Sequence, residues 1–187
     1  MVVGQIPDYI WDGRSLPVPV EEIASSWFNL HVCDKSPEEL AAAPGLPGEE
    51  REIWLAGLLL TNRKEIWVNA DEARQWPSRR RFTICHELGH WSLHRSGQQS
   101  LFCRASHVDS VEGQLALDVD AHLLPPSKPP APPFEIEADT FAANLLMPAD
   151  LFRHHFLHTT TNIPALQALF GASEKAVLKR IRALNLN

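Results

Sequence analysis

Two histidines and a glutamate stand within five residues of one another and could form part of a metal-dependent hydrolase site. The stretch His86–His90 reads HELGH, which matches the pattern HExxH. On a helix the two histidines lie one turn apart on the same face, with Cβ atoms about 6 Å apart. Both imidazoles can therefore reach one Zn²⁺ ion. Glu87 can take a proton from a water molecule that the metal activates, so the pattern predicts zinc ligands at His86 and His90 and a general base at Glu87.

The surroundings of HELGH predict an amphipathic helix with a buried side. The two histidines flank an apolar stripe rather than standing opposite it. Gly89 inside a helix costs about 1 kcal/mol relative to alanine, which indicates close approach of another element. Cys85 leaves the helix about 100° away from His86 and is expected to be a small core residue. The apolar stripe consists of Phe82, Cys85, Leu88, Gly89 and Leu93.

A catalytic zinc site needs a third protein ligand and one open coordination position. Residues 134–148 read as a second helix, which ends at a proline. Glu135 and Asp139 are four residues apart and share one face of it. Small residues such as Ala138 and Ala142 would let this helix pack closely on the HELGH helix. We expect Glu135 to complete the zinc site and Asp139 to accept the free ring N–H of a ligand histidine, which fixes its tautomer.

Two other side chains compete with Glu135 for the third ligand position. Glu137 points elsewhere and reads as part of an acidic first turn, which the helix dipole favours. His94 continues the row of histidines but lies about 12 Å along the helix axis from His86, a span that no single ion bridges on a straight helix. We expect His94 to support the ligands or to lie on the helix surface.

The two motifs together resemble those of the ImmA/IrrE family of metallopeptidases, a gluzincin-like group of bacterial and phage proteases. The matching stretches read HELGHWSLH and EIEADTFAANLLMP. The resemblance implies zinc ligands at His86, His90 and Glu135 and a general base at Glu87. Further likeness to the family lies in residues 16–24, 80–84 and 173–184.

The resemblance implies regulatory proteolysis in the cytoplasm. Several members of the family cleave a helix-turn-helix repressor, often encoded beside them, and so switch on mobile-element transfer or a stress response. The chain is therefore expected to be a zinc endopeptidase whose substrate is a helix-turn-helix transcriptional repressor or a similar regulatory protein. The alternative is a zinc-stabilised module that binds a repressor or an antitoxin-like partner without cutting it. Glu87 argues against this alternative, because a purely structural site would not need the base.

Composition and charge restrict the class of protein. The 187 residues, of which 44% are hydrophobic, suffice for one domain with a substantial core. A net charge of −6 disfavours direct nucleic-acid binding. No apolar run approaches the ~18 residues of a membrane span, and the first residues lack the pattern of a signal peptide, so we expect a cytoplasmic protein. Three cysteines without a CxxC pair fit reduced thiols.

Several polar groups leave their roles open. The basic clusters Arg79–Arg81 and Lys175–Arg182 could contact nucleic acid, but we interpret them as a solvated helix start and a cationic last helical turn. Spacing singles out no donor for the oxyanion of a peptide hydrolase, and the only tyrosine, Tyr9, is far from the motifs. Among the remaining histidines we favour His154 or His155 as that donor over His107, His122 and His158.

The pattern of apolar residues predicts an α+β fold. The domain is expected to be mainly helical and zincin-like, with a small antiparallel sheet beside the HExxH helix. A hairpin is the clearest feature of this sheet, since two β-prone runs are joined by four polar residues. The predicted strands are 31–33, 53–60, 65–69 and 101–104, and the further helices are 18–29, 37–42, 149–156, 163–170 and 173–185.

Three segments are distinguished along the chain. Residues 1–15 are expected to be an N-terminal arm held by Trp11 and Tyr9, and residues 16–157 the metallopeptidase domain. Residues 158–187 are expected to be a C-terminal helical extension that packs on it. A proline-rich insertion at 105–133 interrupts the domain, either as a passive spacer or as a lid over the cleft.

Overall fold

A computed structural model describes residues 2–46, 48, 54–95, 101–105 and 132–186. The strands in this part of the chain are β1 (His31–Lys35), β2 (Leu55–Leu60), β3 (Glu65–Asn69) and β4 (Leu101–Ala105). The helices are α1 (Val20–Glu22, continued as a π-helical turn over Ile23–Trp27), α2 (Pro37–Ala41), α3 (Ala70–Gln75), α4 (Pro77–Leu93), α5 (Pro133–Leu146), α6 (Ala149–His158), α7 (Ile163–Phe170) and α8 (Glu174–Ala183), and Val2–Gln5 form a 3-10 turn.

The four strands form one mixed sheet in the order β1-β3-β2-β4. β2 and β3 form the predicted antiparallel hairpin, and β4 pairs antiparallel with β2. The α+β class is confirmed, but the sheet is not antiparallel throughout, because β1 runs parallel to β3 with His31 opposite Glu65. The long connection through α2 carries the chain from β1 past the position of β3 to β2, so β1 and β3 can run in the same direction. A pattern of apolar residues gives no information on strand direction.

The sheet is buried on both of its faces, which explains why β2 is apolar at every position. One face joins the main core, to which α4 contributes Ile84 and Leu88. The other face joins a smaller core with Leu40 of α2. On the α4 side lie Leu59, Ile66 and Val68, and on the α2 side lie Leu55, Leu58, Leu60 and Trp67.

α4 and α5 approach each other closely at Gly89. A Cβ atom on Gly89 would lie 3.0 Å from the Cα atom of Ala138 and 3.2 Å from the Cβ atom of Phe141. Ala138 and Ala142 are fully buried at this contact. The prediction that Gly89 and the small residues of the second helix permit close packing is confirmed.

The helix α3 was not predicted from the sequence. Its first turn is capped by Asn69, whose side-chain oxygen accepts hydrogen bonds from the backbone N–H groups of Asp71 at 3.0 Å and Glu72 at 3.2 Å. The Asn69 amide also donates to the Leu55 carbonyl at 2.9 Å, so the cap is tied to β2. Asparagine before an acidic turn is a usual helix start, so this signal was available in the sequence.

The C-terminal helices pack on the main core through aromatic side chains. Phe152 and Phe170 are fully buried, with ring centroids 5.1 Å apart. α7 ends at Gly171, whose φ of 59° is left-handed, and Ser173 caps α8 by accepting the N–H of Ala176. The predicted helix stop and cap are both confirmed.

The N-terminal segment is anchored by one of the two aromatic residues expected to do so. Trp11 is buried in the main core and donates a hydrogen bond to the Ser15 carbonyl at 2.9 Å. Tyr9 is 87% exposed and therefore is not an anchor. The proline-rich insertion falls largely on residues 106–131, outside the described residues. Within the described chain, no helix combines the length and the apolar character that crossing a membrane requires.

Replacing Gly89 by valine should lower the free energy of unfolding by about 1–3 kcal/mol, the usual cost of overpacking. The added side chain must displace the backbone of Ala138. Gly4→Val is the matched control, since a Cβ atom on Gly4 meets nothing within 4 Å. Urea unfolding followed by circular dichroism measures both variants. A loss of equal size in the two variants would contradict the close contact of α4 and α5.

Candidate metal centre

The three side chains of the HELGH motif lie in the buried half of α4. His86, Glu87 and His90 have relative exposures of 1%, 0% and 0%. α5 begins at Pro133, where proline suits the first helical position because no intrahelical N–H bond is needed there. This start places Glu135 in the first turn of α5, with its side chain 23% exposed. The site therefore combines a buried α4 face with the partly open end of α5.

The side chains of His86, His90 and Glu135 converge on one point. Nε2 of His86 lies 3.1 Å from one carboxylate oxygen of Glu135, and Nε2 of His90 lies 3.3 Å from the other. The two Nε2 atoms are 3.0 Å apart. All three ligand atoms thus lie within 4.8 Å of one another, as a metal-binding triad requires.

The spacing of these atoms fits a tetrahedral metal ion. Ligand atoms that bind a tetrahedral ion at about 2.0–2.1 Å lie roughly 3.4 Å from one another. The observed separations of 3.0 to 3.3 Å are close to that value. Two imidazole nitrogens and one carboxylate oxygen leave one tetrahedral position open, which distinguishes catalytic from closed structural sites.

The environment favours the protonation states that bind a metal. Burial lowers the pKa of His90 below its usual 6.5, and neighbouring His86 and His94 act in the same direction, against the opposing effect of Glu135. Burial alone would raise the pKa of Glu135, but its hydrogen bonds with His86 and His90 outweigh burial and hold that pKa at about 2. A neutral imidazole and an ionised carboxylate are the forms that coordinate metals.

Asp139 lies where the sequence predicts a support for a ligand histidine. Its Oδ1 atom is 2.9 Å from Nδ1 of His86, while Nε2 of the same ring faces Glu135. One turn of α5 separates Glu135 from Asp139. Two carboxylates on one face of α5 therefore contact the two ring nitrogens of His86.

Glu87 lies between α4 and the sheet, next to Gly57 of β2. A Cβ atom on Gly57 would lie 3.5 Å from Oε1 of Glu87, 2.5 Å from Cγ2 of Thr83 and 3.0 Å from the Trp67 carbonyl oxygen. The pairing of β2 with β4 shifts register between Leu55 and Gly57, which marks a bulge at this place. The missing side chain of Gly57 thus makes room for the Thr83 methyl group and the Trp67 carbonyl, with the Glu87 carboxylate next to them.

His94 and Glu137 contact each other rather than joining the triad. Nδ1 of His94 lies 3.1 Å from Nδ1 of His90, and Nε2 of His94 lies 2.9 Å from a carboxylate oxygen of Glu137. Sequence spacing makes both residues candidate ligands and gives no indication that they pair with each other. His94 lies one turn beyond His90, which places it near the site, but Glu137 lies about 200° around its helix from Glu135.

The histidines favoured as oxyanion donors lie on α6. In the described structure, the ring contacts of His154 are with His155 and His158, and those of His155 extend to Phe170. Nδ1 of His155 is 3.2 Å from the Thr159 hydroxyl oxygen. None of these contacts involves the triad. His107 and His122 lie outside the described residues.

The arginines at the start of α4 do not form the solvated cluster that we expected. Each guanidinium binds a group on another element, so the cluster fixes α4 to its surroundings. The partners are Glu72 of α3 for Arg79, Glu21 of α1 and Asp34 of β1 for Arg80, and the carbonyl oxygen of Val18 for Arg81.

Two further side chains singled out in the sequence prove to be buried. Arg180, in the second basic cluster, donates a hydrogen bond to the Met147 carbonyl at 2.8 Å and is only 6% exposed. It therefore joins α8 to the end of α5. Cys85 is fully buried, and burial raises the pKa of its thiol, which confirms it as a core residue.

The α+β fold and the His-His-Glu triad define a domain of the metallopeptidase type. The family model described as the IrrE N-terminal-like domain, Peptidase M78, matches residues 47–117 and 119–182. The chain belongs to this family, and the family suggests a metallopeptidase hydrolase. The resemblance seen in the two motifs is thereby confirmed.

One solved structure extends the likeness of the fold. A Mycobacterium tuberculosis transcriptional regulator superimposes with a TM-score of 0.50 at 17% sequence identity. The match covers 89% of this chain and 40% of that protein, so this chain spans about two fifths of the regulator's length. The comparison with curated proteins found no match.

Zinc binding should weaken as the pH falls, because a protonated imidazole cannot bind a metal. Burial lowers the pKa of His90, so its protonation should compete with zinc only below about pH 6.5. The carboxylate of Glu135, with its pKa at about 2, should stay ionised down to about pH 5. Calorimetric titration with Zn²⁺ from about pH 8 to about pH 5 measures this dependence. Zinc affinity that stays constant over this pH range would contradict binding through the imidazole nitrogens.

Replacing Gly57 by alanine should destabilise the protein by about 1–3 kcal/mol, because the new Cβ atom would overlap Cγ2 of Thr83. Thr83→Ser removes that Cγ2 atom and keeps the hydroxyl. The double variant should therefore recover part of the stability lost in the single Gly57 variant. A double-mutant cycle in urea measures the coupling. Simple additivity of the two changes would show that Gly57 and Thr83 do not share this space.

Proposed function

We propose that the protein is a zinc-dependent endopeptidase. The observation that supports this most strongly is the convergence of His86, His90 and Glu135 on one point, with the buried Glu87 next to His86 in the sequence of the same helix. Membership of the Peptidase M78 family supports the same reaction class. Zinc is the proposed metal because two imidazoles and one carboxylate suit it.

His86, His90 and Glu135 would hold the zinc ion. When bound, the ion supplies Lewis acidity, which lowers the pKa of a water molecule and polarises the scissile carbonyl group. Asp139 would orient His86 by accepting its Nδ1–H, which would leave the lone pair on Nε2 available to a bound ion.

Glu87 is the proposed general base and acid. Its carboxylate accepts a proton from the attacking water as the water oxygen bonds to the carbonyl carbon. The same group then donates that proton to the amide nitrogen as the C–N bond breaks, so the carboxylate is regenerated. The carboxylate of Glu87 is fully buried and lies next to Gly57 of β2. The products are a carboxylic acid and an amine, which ionise to a carboxylate and an ammonium group at neutral pH.

The proposed substrate is a helix-turn-helix transcriptional repressor or a similar regulatory protein. The resemblance of the two motifs to the ImmA/IrrE family implies a regulatory protein as the substrate. The similar solved structure is a transcriptional regulator, which fits a setting related to gene regulation. If a small helix-turn-helix repressor is encoded beside this protein, it is the first substrate to test.

Glu87→Gln should retain zinc and lose hydrolysis, since glutamine has a similar shape but cannot accept the proton. General acid–base catalysis is worth about 10²- to 10⁴-fold, so the cleavage rate should fall by at least about 100-fold. The assay incubates purified protein with the neighbouring repressor, or with a peptide library, and identifies new termini by mass spectrometry. Glu174→Gln, which removes an exposed carboxylate on α8, is the matched control.

Two results would refute the peptidase proposal. The first is a Glu87→Gln protein that binds zinc and cleaves the repressor at the normal rate. The second is stoichiometric repressor binding without new termini in either protein, which would establish the non-proteolytic binding module instead. Zinc content, measured by atomic emission in both variants, separates loss of catalysis from loss of the metal.

A further inference from the structure

The ring of His90 is held on both of its nitrogens. Nε2 faces Glu135 and His86, and Nδ1 lies 3.1 Å from Nδ1 of His94. A nitrogen pair at this distance forms a hydrogen bond only if one nitrogen carries a proton and the other does not. The arrangement therefore restricts the tautomers of both rings.

Metal binding decides the direction of the hydrogen bonds. If Nε2 of His90 coordinates an ion, the proton of the neutral ring must reside on Nδ1, which then donates to Nδ1 of His94. Neutral His94 carries its own proton on Nε2, where it lies 2.9 Å from a carboxylate oxygen of Glu137 and donates to it. Each of these two hydrogen bonds, from His90 to His94 and from His94 to Glu137, then has one donor and one acceptor.

The contacts around His94 favour a fixed ring rather than a mobile surface side chain. The side chain of His94 is 16% exposed, whereas that of Glu137 is 62% exposed. Phe134 packs against both rings, with its centroid 5.9 Å from that of His90 and 6.2 Å from that of His94. Both rings are therefore packed against an aromatic side chain, while the carboxylate at the far end is largely exposed.

The helical registers explain why this chain of contacts forms. His94 lies one turn beyond His90 on α4, and Glu137 lies two residues beyond Glu135 on α5. The contact of α4 with α5 that brings Glu135 to the triad thus brings Glu137 to His94. Asp139 supports His86 directly, so the two candidate ligand histidines receive unlike supports.

We propose that His94 and Glu137 are positioning residues that orient His90 for metal binding, with His94 transmitting the effect of the Glu137 carboxylate. The inference rests on the proposed metal site at His86, His90 and Glu135. Supports of this kind contribute about 10- to 100-fold to metal affinity. Glu137 affects metal binding only through His94.

A double-mutant cycle on zinc affinity tests this claim. His94→Phe keeps a ring against Phe134 and removes both nitrogens, and Glu137→Ala removes the acceptor. We expect His94→Phe to weaken Zn²⁺ binding by about 10- to 100-fold, and Glu137→Ala by a smaller factor. In the His94→Phe background, Glu137→Ala should have no further effect. Glu137→Gln, which keeps an acceptor oxygen, should restore part of the affinity lost in Glu137→Ala.

Two readouts separate positioning from a merely structural role. The unfolding temperature of the zinc-free Glu137→Ala protein should equal that of the zinc-free wild type, because this side chain is largely exposed. In the zinc-loaded wild type, ¹⁵N NMR of the histidines should show the proton of His94 on Nε2. His158→Phe and Glu174→Ala are matched controls for an exposed histidine and an exposed glutamate, and should leave zinc affinity unchanged.

Several outcomes would overturn the inference. These are unchanged zinc affinity in both variants, equal effects of Glu137→Ala with and without His94, and a His94 proton on Nδ1. Glu135→Ala, measured in the same titration, distinguishes this failure from failure of the metal site. If Glu135→Ala abolishes zinc binding while His94→Phe does not change it, only the positioning role is refuted. If Glu135→Ala leaves zinc binding intact, the proposed metal site itself is wrong.

Discussion

The close contact of α4 with α5 at Gly89 is the constraint on which the candidate site depends. Two histidines on one helix cannot enclose an ion, so a carboxylate must come from a second helix. Gly89 immediately precedes His90, and its partner Ala138 lies within one turn of Glu135. An interior glycine weakens a helix by about 1 kcal/mol relative to alanine. The absent side chain lets α5 approach α4 closely, and this approach lets Glu135 reach both imidazoles.

The opposite side of α4 is set by the sheet in a similar way. Gly57 on β2 removes a side chain where the strand meets Glu87, and the bulge in β2 occurs at the same place. α4 is thus held between α5 and β2, and a glycine lies at each contact: Gly89 of α4 faces α5, and Gly57 of β2 faces α4. The three arginines at its start bind groups on or next to α1, β1 and α3, which fixes the helix along its axis. The burial that results keeps the candidate ligands away from bulk water.

The shared fold and the chain's own chemistry provide different kinds of evidence. The likeness to a transcriptional regulator at 17% identity concerns the backbone, and that regulator is much longer than this chain. Family membership identifies a peptidase type without identifying a substrate. The side chains provide the chemical detail, because Asp139 contacts His86 directly and Glu137 contacts His90 through His94. The proposal of peptide hydrolysis therefore rests on the side chains of the site more than on the backbone fold.

The sequence alone was sufficient for features that depend on neighbouring residues. Helical periodicity and HELGH predicted α4 and its three polar groups, and a carboxylate four residues before Asp139 identified Glu135. Turn and cap residues predicted the β2–β3 hairpin and the end of α7.

Only the tertiary structure decided the parallel direction of β1, the partners of the arginines and the pairing of His94 with Glu137. Except for the ion pair of Arg79 with nearby Glu72, these features join residues that are 34 or more positions apart in the sequence. Such contacts depend on how whole elements rotate and shift against one another, and a local pattern of residue types carries no record of that placement.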